Sequence, residues 1–163
     1  MMHVENNLVI DASPETVWEP LSRYMDVDKF CTGISRVDAL TGGEDGVGSK
    51  RRNNFPNGSS LIEEVTEWTV NRGYKVRMSE MVGLPMKDTT AFIRLEPVGA
   101  KTRVVWGMDY GMKNGPLGWI MGQTMLKFFM GKTITSNLQG LADLVKNNSS
   151  ATVTNIAPDA KRA

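Results

Sequence analysis

The stretch LGWIMGQTMLKFFMGKTITSNLQGLADLVK (117–146) decides the fold. Its large apolar residues recur every three or four positions, which is the spacing of one helix face: Leu117, Ile120, Met121, Met125, Phe128, Phe129, Ile134, Leu138, Leu141 and Val145. A helix of about 30 residues is roughly 45 Å long. Because a flat sheet of ordinary strands cannot cover a helix of that length, the rest of the chain must wrap around it.

The preceding part of the chain supplies strands for this wrapping. Alternating apolar and polar residues predict a first strand within residues 3–10. Six further strand-like segments are separated by Gly-, Pro- and Asn-containing turns, at 35–40, 48–55, 60–69, 74–81, 89–95 and 103–112. Short connections between successive strands are typical of an antiparallel meander.

Two short helices are predicted between the first strand and the meander. Ser13 suits a helix N-cap, Pro14 suits the first helical position, and Glu15 favours the positive end of the helix dipole. Pro20 should end or kink this helix. A second short helix is expected around residues 26–30.

The order β-α-α-β6-α predicts an α+β helix-grip fold, in which a curved antiparallel sheet of about seven strands wraps around the long C-terminal helix. The sheet and the helix would diverge at one end and leave an internal apolar cavity. Residues 1–147 would form this single ligand-binding domain. Residues 148–163 are rich in Ser, Thr, Asn and Ala and predict a mobile tail.

Composition excludes several classes of function. The net charge of +1, from 19 basic and 18 acidic residues, argues against a nucleic-acid partner. The only histidine is His3 and the only cysteine is Cys31, so the sequence predicts no metal site, no bound cofactor and no histidine-based triad. No uncharged stretch is long enough to span a membrane. A lone cysteine and the absence of a signal-peptide pattern favour a cytoplasmic location.

Five segments carry a family resemblance: VIDASPETVW (9–18), GVGSKRR (46–52), NGSSLIEEV (57–65), TRVVWGMDY (102–110) and SNLQGLADLVK (136–146). In this order and spacing they resemble the polyketide cyclase/dehydrase-like branch of the START and birch-pollen-allergen superfamily. The resemblance covers roughly residues 3–147. It implies a helix-grip fold and a small apolar ligand, whereas the superfamily includes carriers, hormone receptors and cyclases, so fold alone does not fix the function.

The resemblance also implies site residues on the long helix. Asn137-Leu138-Gln139 matches a motif of the plant hormone receptors of this superfamily, which implies that Phe129, Thr133 and Asn137 face the cavity. Their spacing of four residues independently places them on one helix face. The alternatives are that Phe129 belongs to an ordinary core and that Asn137 faces solvent.

Glu63 and Glu64 are neighbours in the middle of a strand, so one of them should point inward. The resemblance places Glu63 in the cavity, and Arg51 or Arg52 on the preceding strand could pair with it. Otherwise both glutamates are solvated.

Three large residues alternate along the last strand, Trp106, Met108 and Tyr110, and they would either line the cavity or form an ordinary aromatic core. Two loops, 56–58 and 82–85, lie where the hormone receptors have mobile gates, and Leu84 would then plug the opening. The alternative is that both are plain hairpin turns.

Three functions remain open from the sequence. The first is the binding of a small hydrophobic molecule such as a lipid, polyketide or isoprenoid. The second is a polyketide cyclase or dehydratase reaction that uses a cavity carboxylate as acid or base. The third is an interaction module with a vestigial cavity, in which the apolar region around Trp119 contacts a partner, a membrane surface or a second copy in a homodimer.

Overall fold

A computed structural model describes residues 1–113 and 115–155. The first strand is followed by a helix and a 3₁₀ segment, then by six strands, and finally by a helical region that a π-helical segment interrupts. The elements are β1 (Met2–Ile10), α1 (Pro14–Ser22), the 3₁₀ segment (Tyr24–Lys29), β2 (Arg36–Ala39), β3 (Lys50–Asn54), β4 (Ser60–Thr69), β5 (Gly73–Val82), β6 (Met86–Val98), β7 (Lys101–Met112), α2 (Gly115–Met121), the π segment (Gly122–Leu126) and α3 (Lys127–Asn155).

The seven strands form one antiparallel sheet with the order β1-β7-β6-β5-β4-β3-β2. Each strand from β2 to β7 pairs with its neighbours in sequence. The connections from β3 onward are short hairpins, whereas a longer loop, residues 40–49, joins β2 to β3. β1 closes the far edge by pairing with β7 along its whole length, from Met2 opposite Tyr110 to Ile10 opposite Thr102. The predicted α+β helix-grip architecture is confirmed.

The helix α1 begins as the sequence predicted. The hydroxyl of Ser13 accepts a hydrogen bond from the Thr16 amide at 3.3 Å, and Pro14 occupies the first helical position. Pro20 lies inside α1, which ends two residues later at Ser22. The second short helix begins at Tyr24, slightly earlier than predicted, and has the tighter 3₁₀ geometry.

The helix α3 packs across the concave face of the sheet through its middle turns. Ile134, Leu138, Leu141 and Val145 are buried, at the spacing that the sequence predicted for the core-facing stripe. On β1, the amide of Asn6 donates hydrogen bonds to the Gly131 carbonyl at 2.8 Å and to the Thr135 hydroxyl at 2.9 Å. These bonds join α3 to the edge of the sheet.

The C-terminal boundary of α3 differs from the predicted one. The helix continues to Asn155, whereas the sequence predicted that a tail begins at residue 148. Residues in this extension, such as Ser149 and Ser150, bond their hydroxyls to carbonyls four residues earlier, at Val145 and Lys146. Such bonds let a polar segment remain helical without an apolar face. Residues 156–163 lie outside the described part of the chain.

Candidate functional site

The strand register divides the concave face of the sheet into two ends. We call closed end the part near the β1–α1, β4–β5 and β6–β7 turns, where Ile10 pairs with Thr102 and Thr69 with Gly73. We call open end the opposite part, where the β3–β4 and β5–β6 loops and the β7–α2 junction meet. Strand partners at the open end are Met2 and Tyr110, Met86 and Met112, and Ser60 and Val82.

Aromatic rings fill the closed end. Trp18 of α1 packs edge-on against Trp68 at a centroid distance of 4.9 Å. The ring of Tyr24 stands perpendicular to that of Tyr74 at 5.7 Å. Such edge-to-face pairs stabilise a dry core, and no ligand-sized space is needed to explain the arrangement at this end.

A buried ion pair lies between the two ends. Arg51 of β3 faces Glu63 of β4 in the strand register, and its Nε and Nη2 donate hydrogen bonds to Glu63 Oε2 at 2.8 and 2.5 Å. Its Nη1 donates to the carbonyl of Tyr24, and its guanidinium lies 3.9 Å from the centre of the Tyr24 ring. Burial alone would lower the pKa of Arg51, but the Glu63 carboxylate together with Tyr24 and Tyr74 outweighs this effect, and the pKa is raised.

Two acceptor atoms beside this ion pair lack donors. Both hydrogen bonds from Arg51 reach Oε2 of Glu63, so Oε1 has no hydrogen-bond partner among the described residues. Asn53, two residues along β3 on the same face, is 3 % exposed, and its Oδ1 also has no partner within the described chain. A buried acceptor without a donor is costly. The concave face therefore offers two unpaired acceptors to a molecule that carries a donor.

Half-buried apolar side chains surround the approach to these acceptors from the open end. They come from the sheet, the β5–β6 loop and the helical region, and all pack against the main core while keeping part of their surface uncovered: Trp106, Met108, Met112, Leu84, Leu126 and Met130. Methionine adapts its shape to irregular partners. This lining suits a flexible apolar molecule.

Lys113 ties together the elements around the open end. Its ammonium group donates hydrogen bonds to the carbonyls of Met81 and Leu84 at 3.1 and 3.0 Å, and its backbone amide donates to Pro85 at 2.9 Å. The junction between β7 and α2 is thereby fastened to the β5–β6 loop. The loop also approaches the β3–β4 loop, because a Cβ on Gly83 would lie 3.2 Å from that of Ser59.

The site residues proposed from the sequence differ in how far they are buried. Glu63 and Tyr110 are buried, whereas the others except Phe129 are half-buried: Leu84, Trp106, Met108, Thr133 and Asn137. The expected pairing of Glu63 with Arg51 is present. Whether these residues contact a ligand stays a prediction.

Phe129 departs from the enclosed position that the sequence predicted. Its side chain is 61 % exposed. Spacing correctly placed Phe129 one helical turn from Thr133, whose hydroxyl donates to the Phe129 carbonyl. However, Leu126 and Met130 of the neighbouring positions pack against the core while Phe129 stays uncovered, and the fully buried stripe begins at Ile134.

Sequence reasoning missed Asn53 and Lys113. Asn53 occupies the same strand face as Arg51, and alternation from Arg51 could have located it. For Lys113 the sequence carried no signal, because its role depends on how close two loops approach one another.

Two open hollows lie outside the concave face. One, of about 850 Å³, runs between β1 and the first turns of α3, and the other, of about 510 Å³, adjoins Trp18 and Trp68. The internal cavity expected from the sequence remains a prediction.

Among the described residues, no cluster of His, Cys, Asp or Glu could hold a metal ion. None of the helices within these residues is both long enough and apolar enough to cross a bilayer.

Solved structures share this architecture at low sequence identity. An aromatase/cyclase from a Streptomyces species superposes with a TM-score of 0.77 and 17% identity, over 91% of this chain and 95% of its own. A Thermus thermophilus protein, TTHA0849, gives 0.76 and 18%, over 91% and 99%. A point mutant of norcoclaurine synthase from Thalictrum flavum, in complex with a transition-state analogue, gives 0.69 and 16%, over 91% and 96%. At these identities the likeness shows the fold alone.

Comparison with curated proteins finds no matching sequence. A family profile described as polyketide cyclase / dehydrase and lipid transport, in contrast, matches residues 1–146. This range contains all seven strands and the buried turns of α3. The chain therefore belongs to the polyketide cyclase/dehydrase and lipid transport family.

Proposed function

We propose that this protein binds a small, largely apolar molecule on the concave face and that the molecule enters from the open end. Its polar end would donate hydrogen bonds to Glu63 Oε1 and Asn53 Oδ1. The observation that carries the proposal is Asn53 Oδ1, which is buried without a hydrogen-bond partner among the described residues, as is the Tyr24 hydroxyl. Glu63 Oε1, which Arg51 leaves without a hydrogen bond, is a second acceptor on the same face. A ligand donor would remove the cost of leaving Asn53 Oδ1 unpaired.

The charge of the site narrows the ligand class. Arg51 neutralises Glu63, so the ligand need not be a cation. Two acceptors instead favour a hydroxyl or an N–H group on an apolar skeleton, as in a phenol, a sterol or another isoprenoid alcohol, or a polyketide enol. The half-buried Trp106 and Met108 would cover the skeleton. The buried lone cysteine fits a cytoplasmic location for this role.

Native mass spectrometry of the freshly purified protein tests this proposal. We expect a stoichiometric extra mass that leaves on unfolding and proves to be an apolar molecule with a hydroxyl or N–H group. Met108→Trp should fill the open end and abolish the extra mass while the protein stays folded. Val70→Trp, at a position that is 63 % exposed in the turn after β4, is the matched control and should keep it. Equal occupancy in both variants would refute the placement.

Catalysis of a cyclisation or dehydration is a second candidate function. The observation that favours it is the unpaired Oε1 of Glu63, because a general base needs an oxygen free to accept a proton. Glu63→Gln should then abolish turnover of a poly-β-ketone substrate, whereas Glu64→Gln on the opposite face should not. Unchanged turnover in Glu63→Gln would dismiss Glu63 as the base.

A further inference from the structure

Among the described residues, the helical region that follows β7 carries the densest group of exposed large apolar side chains. Six side chains within residues 117–129 have more than half of their surface uncovered, and all three exposed aromatic residues are among them: Leu117 70%, Trp119 55%, Ile120 57%, Met125 72%, Phe128 66% and Phe129 61%. Elsewhere the exposed apolar residues are scattered, mostly single valines such as Val47 and Val70. We call this surface the apolar patch.

The patch has the composition of a helix that lies in a lipid interface. Met125, Phe128 and Phe129 follow the i, i+3, i+4 spacing of one helix face. Trp and Phe on an apolar face that lysines flank are typical of interfacial helices. Six exposed large apolar residues within one short segment are typical of a contact site.

All formal charges within the helical region around the patch are positive. Lys113, Lys127 and Lys132 are the only charged residues between Asp109 and Asp143. The ammonium of Lys132 lies 4.7 Å from the centre of the Phe128 ring, at the border of the apolar face. Glu5 and His3 of β1 line the same groove as Lys127 and Lys132, and His3 Nδ1 lies 2.7 Å from Asp109 Oδ1. Two carboxylates therefore lie on the sheet side of this groove, while the helical side carries lysines alone.

The positive charges around the apolar patch indicate which kind of partner covers it. In a symmetric contact, residues of the patch would meet other residues of the same patch on a second copy. Residues 110–142 contain no carboxylate that could pair with the lysines across such a contact. A bilayer with anionic headgroups instead attracts each lysine, with a gain of roughly fivefold in partitioning per residue. The combination of apolar face and lysine border therefore favours a lipid surface.

We propose that α2, the π segment and the first turns of α3 dock reversibly onto an anionic lipid bilayer. The same surface adjoins the open end, since α2 follows β7 there and Lys113 ties this junction to the β5–β6 loop. Docking would place the open end against the bilayer. The docking itself does not depend on the ligand-binding proposal.

Co-sedimentation with lipid vesicles tests the proposal. We expect the full chain to sediment with vesicles of phosphatidylglycerol and phosphatidylcholine, much less with phosphatidylcholine alone, and less at high salt. The double variant Trp119→Ser/Phe128→Ser should bind at least about tenfold more weakly, because two large apolar side chains no longer enter the bilayer. Lys127→Gln/Lys132→Gln should lose the preference for anionic vesicles.

The matched control is Val47→Ser/Val70→Ser, which removes apolar side chains of similar exposure, 69% and 63%, outside the patch. This control should sediment like the unmodified protein. Failure to bind either kind of vesicle would overturn the proposal, and so would an equal loss in the control. A homodimer in solution that Trp119→Ser/Phe128→Ser dissociates, without vesicle binding, would assign the patch to a second copy and also overturn it.

Discussion

The closed end and the open end of the concave face differ in how completely their apolar residues are covered. Val104 and Leu141 are fully buried near the closed end, where α1 contacts β6, β7 and α3. Towards the open end, Trp106 and Met108 of the same strand as Val104 are only half-buried, although Tyr110 at the end of this strand is buried. The strand alternation is identical along β7, so the difference comes from the presence or absence of a covering element.

Apolar residues therefore have two different roles at the two ends of the concave face. At the closed end, apolar residues contribute to stability because other residues cover them. Towards the open end, Trp106 and Met108 leave part of their apolar surface uncovered. Under the proposed function, a ligand would cover this surface. Substitutions should therefore change the stability of the free protein at the closed end and binding at the open end.

The largest expected effect concerns the ion pair between the two ends. Arg51→Met should lower the free energy of unfolding by about 3–5 kcal/mol, because Glu63 would remain buried without its partner. Urea unfolding measures this loss. Arg77→Met removes one of the two basic partners of Glu64 on the opposite face, where the Arg77 side chain is exposed, and should leave stability near that of the unmodified protein. Similar unfolding midpoints for both variants would show that the pair is not sheltered from water.

Truncations along the helical region test the contrast directly. Leu138→Ala should cost about 2–5 kcal/mol, since this side chain is 1% exposed and its removal leaves a cavity. Met125→Ala, at a position that is 72% exposed, should change the free energy of unfolding by less than about 0.5 kcal/mol. Comparable losses in thermal or urea unfolding would contradict the division into covered and uncovered turns.

Alkaline pH should destabilise the closed end. Burial raises the pKa of Tyr24, Tyr74 and Cys31 above their ordinary values. Stability is therefore full below about pH 8.5 and falls as the unfolded chain ionises, by about 1.4 kcal/mol per pH unit for each group beyond its ordinary pKa. Urea midpoints between neutral pH and about pH 10.5 measure this fall. Cys31→Ala should delay its onset, and a flat profile would mean that these groups are accessible to water when folded.

Two glycines of α3 give the smallest and most specific contrast. A Cβ on Gly140 would collide with the backbone carbonyl of Phe30, whereas one on Gly131 would have its nearest atoms at 3.8 and 3.9 Å. Gly140→Ala should therefore destabilise the protein by about 1–3 kcal/mol, and Gly131→Ala should stabilise it by up to about 1 kcal/mol. Opposite signs of the shift in melting temperature are the expected result. A stabilising Gly140→Ala would show that α3 does not pack tightly on the 3₁₀ segment.

The sequence was sufficient for the fold because periodicity records which face of each element is apolar. The stripe from Ile134 to Val145 and the cap at Ser13 were both predicted and are present. The pairing of Arg51 with Glu63 followed from the short hairpin between β3 and β4.

Exposure was not predictable in the same way. Phe129 has the same periodicity as a core residue, and only the positions of the sheet edge and the preceding turns leave it uncovered. Asn53 was missed because its importance comes from a hydrogen bond that is not made, and an absent partner leaves no pattern in the sequence. The helix end at Asn155 was missed because hydroxyl-to-carbonyl bonds replace the apolar stripe there.

Replacement of Asn53 by leucine tests the central claim most directly, that unpaired acceptors on the concave face are kept for a ligand. We expect Asn53→Leu to raise the free energy of unfolding by about 1–2 kcal/mol, since it removes a buried acceptor without a donor. The same variant should bind the apolar probe N-phenyl-1-naphthylamine, which carries one N–H donor, more weakly than the unmodified protein.

Asn54→Leu is the matched control, because the Asn54 amide lies on the opposite face and already donates to Asp38 at 2.9 Å. It should lose stability and keep the affinity for the probe. The account predicts a gain in stability together with a loss of binding in Asn53→Leu alone. A loss of stability with unchanged or tighter binding would contradict it, since Asn53 would then serve the fold and not a ligand.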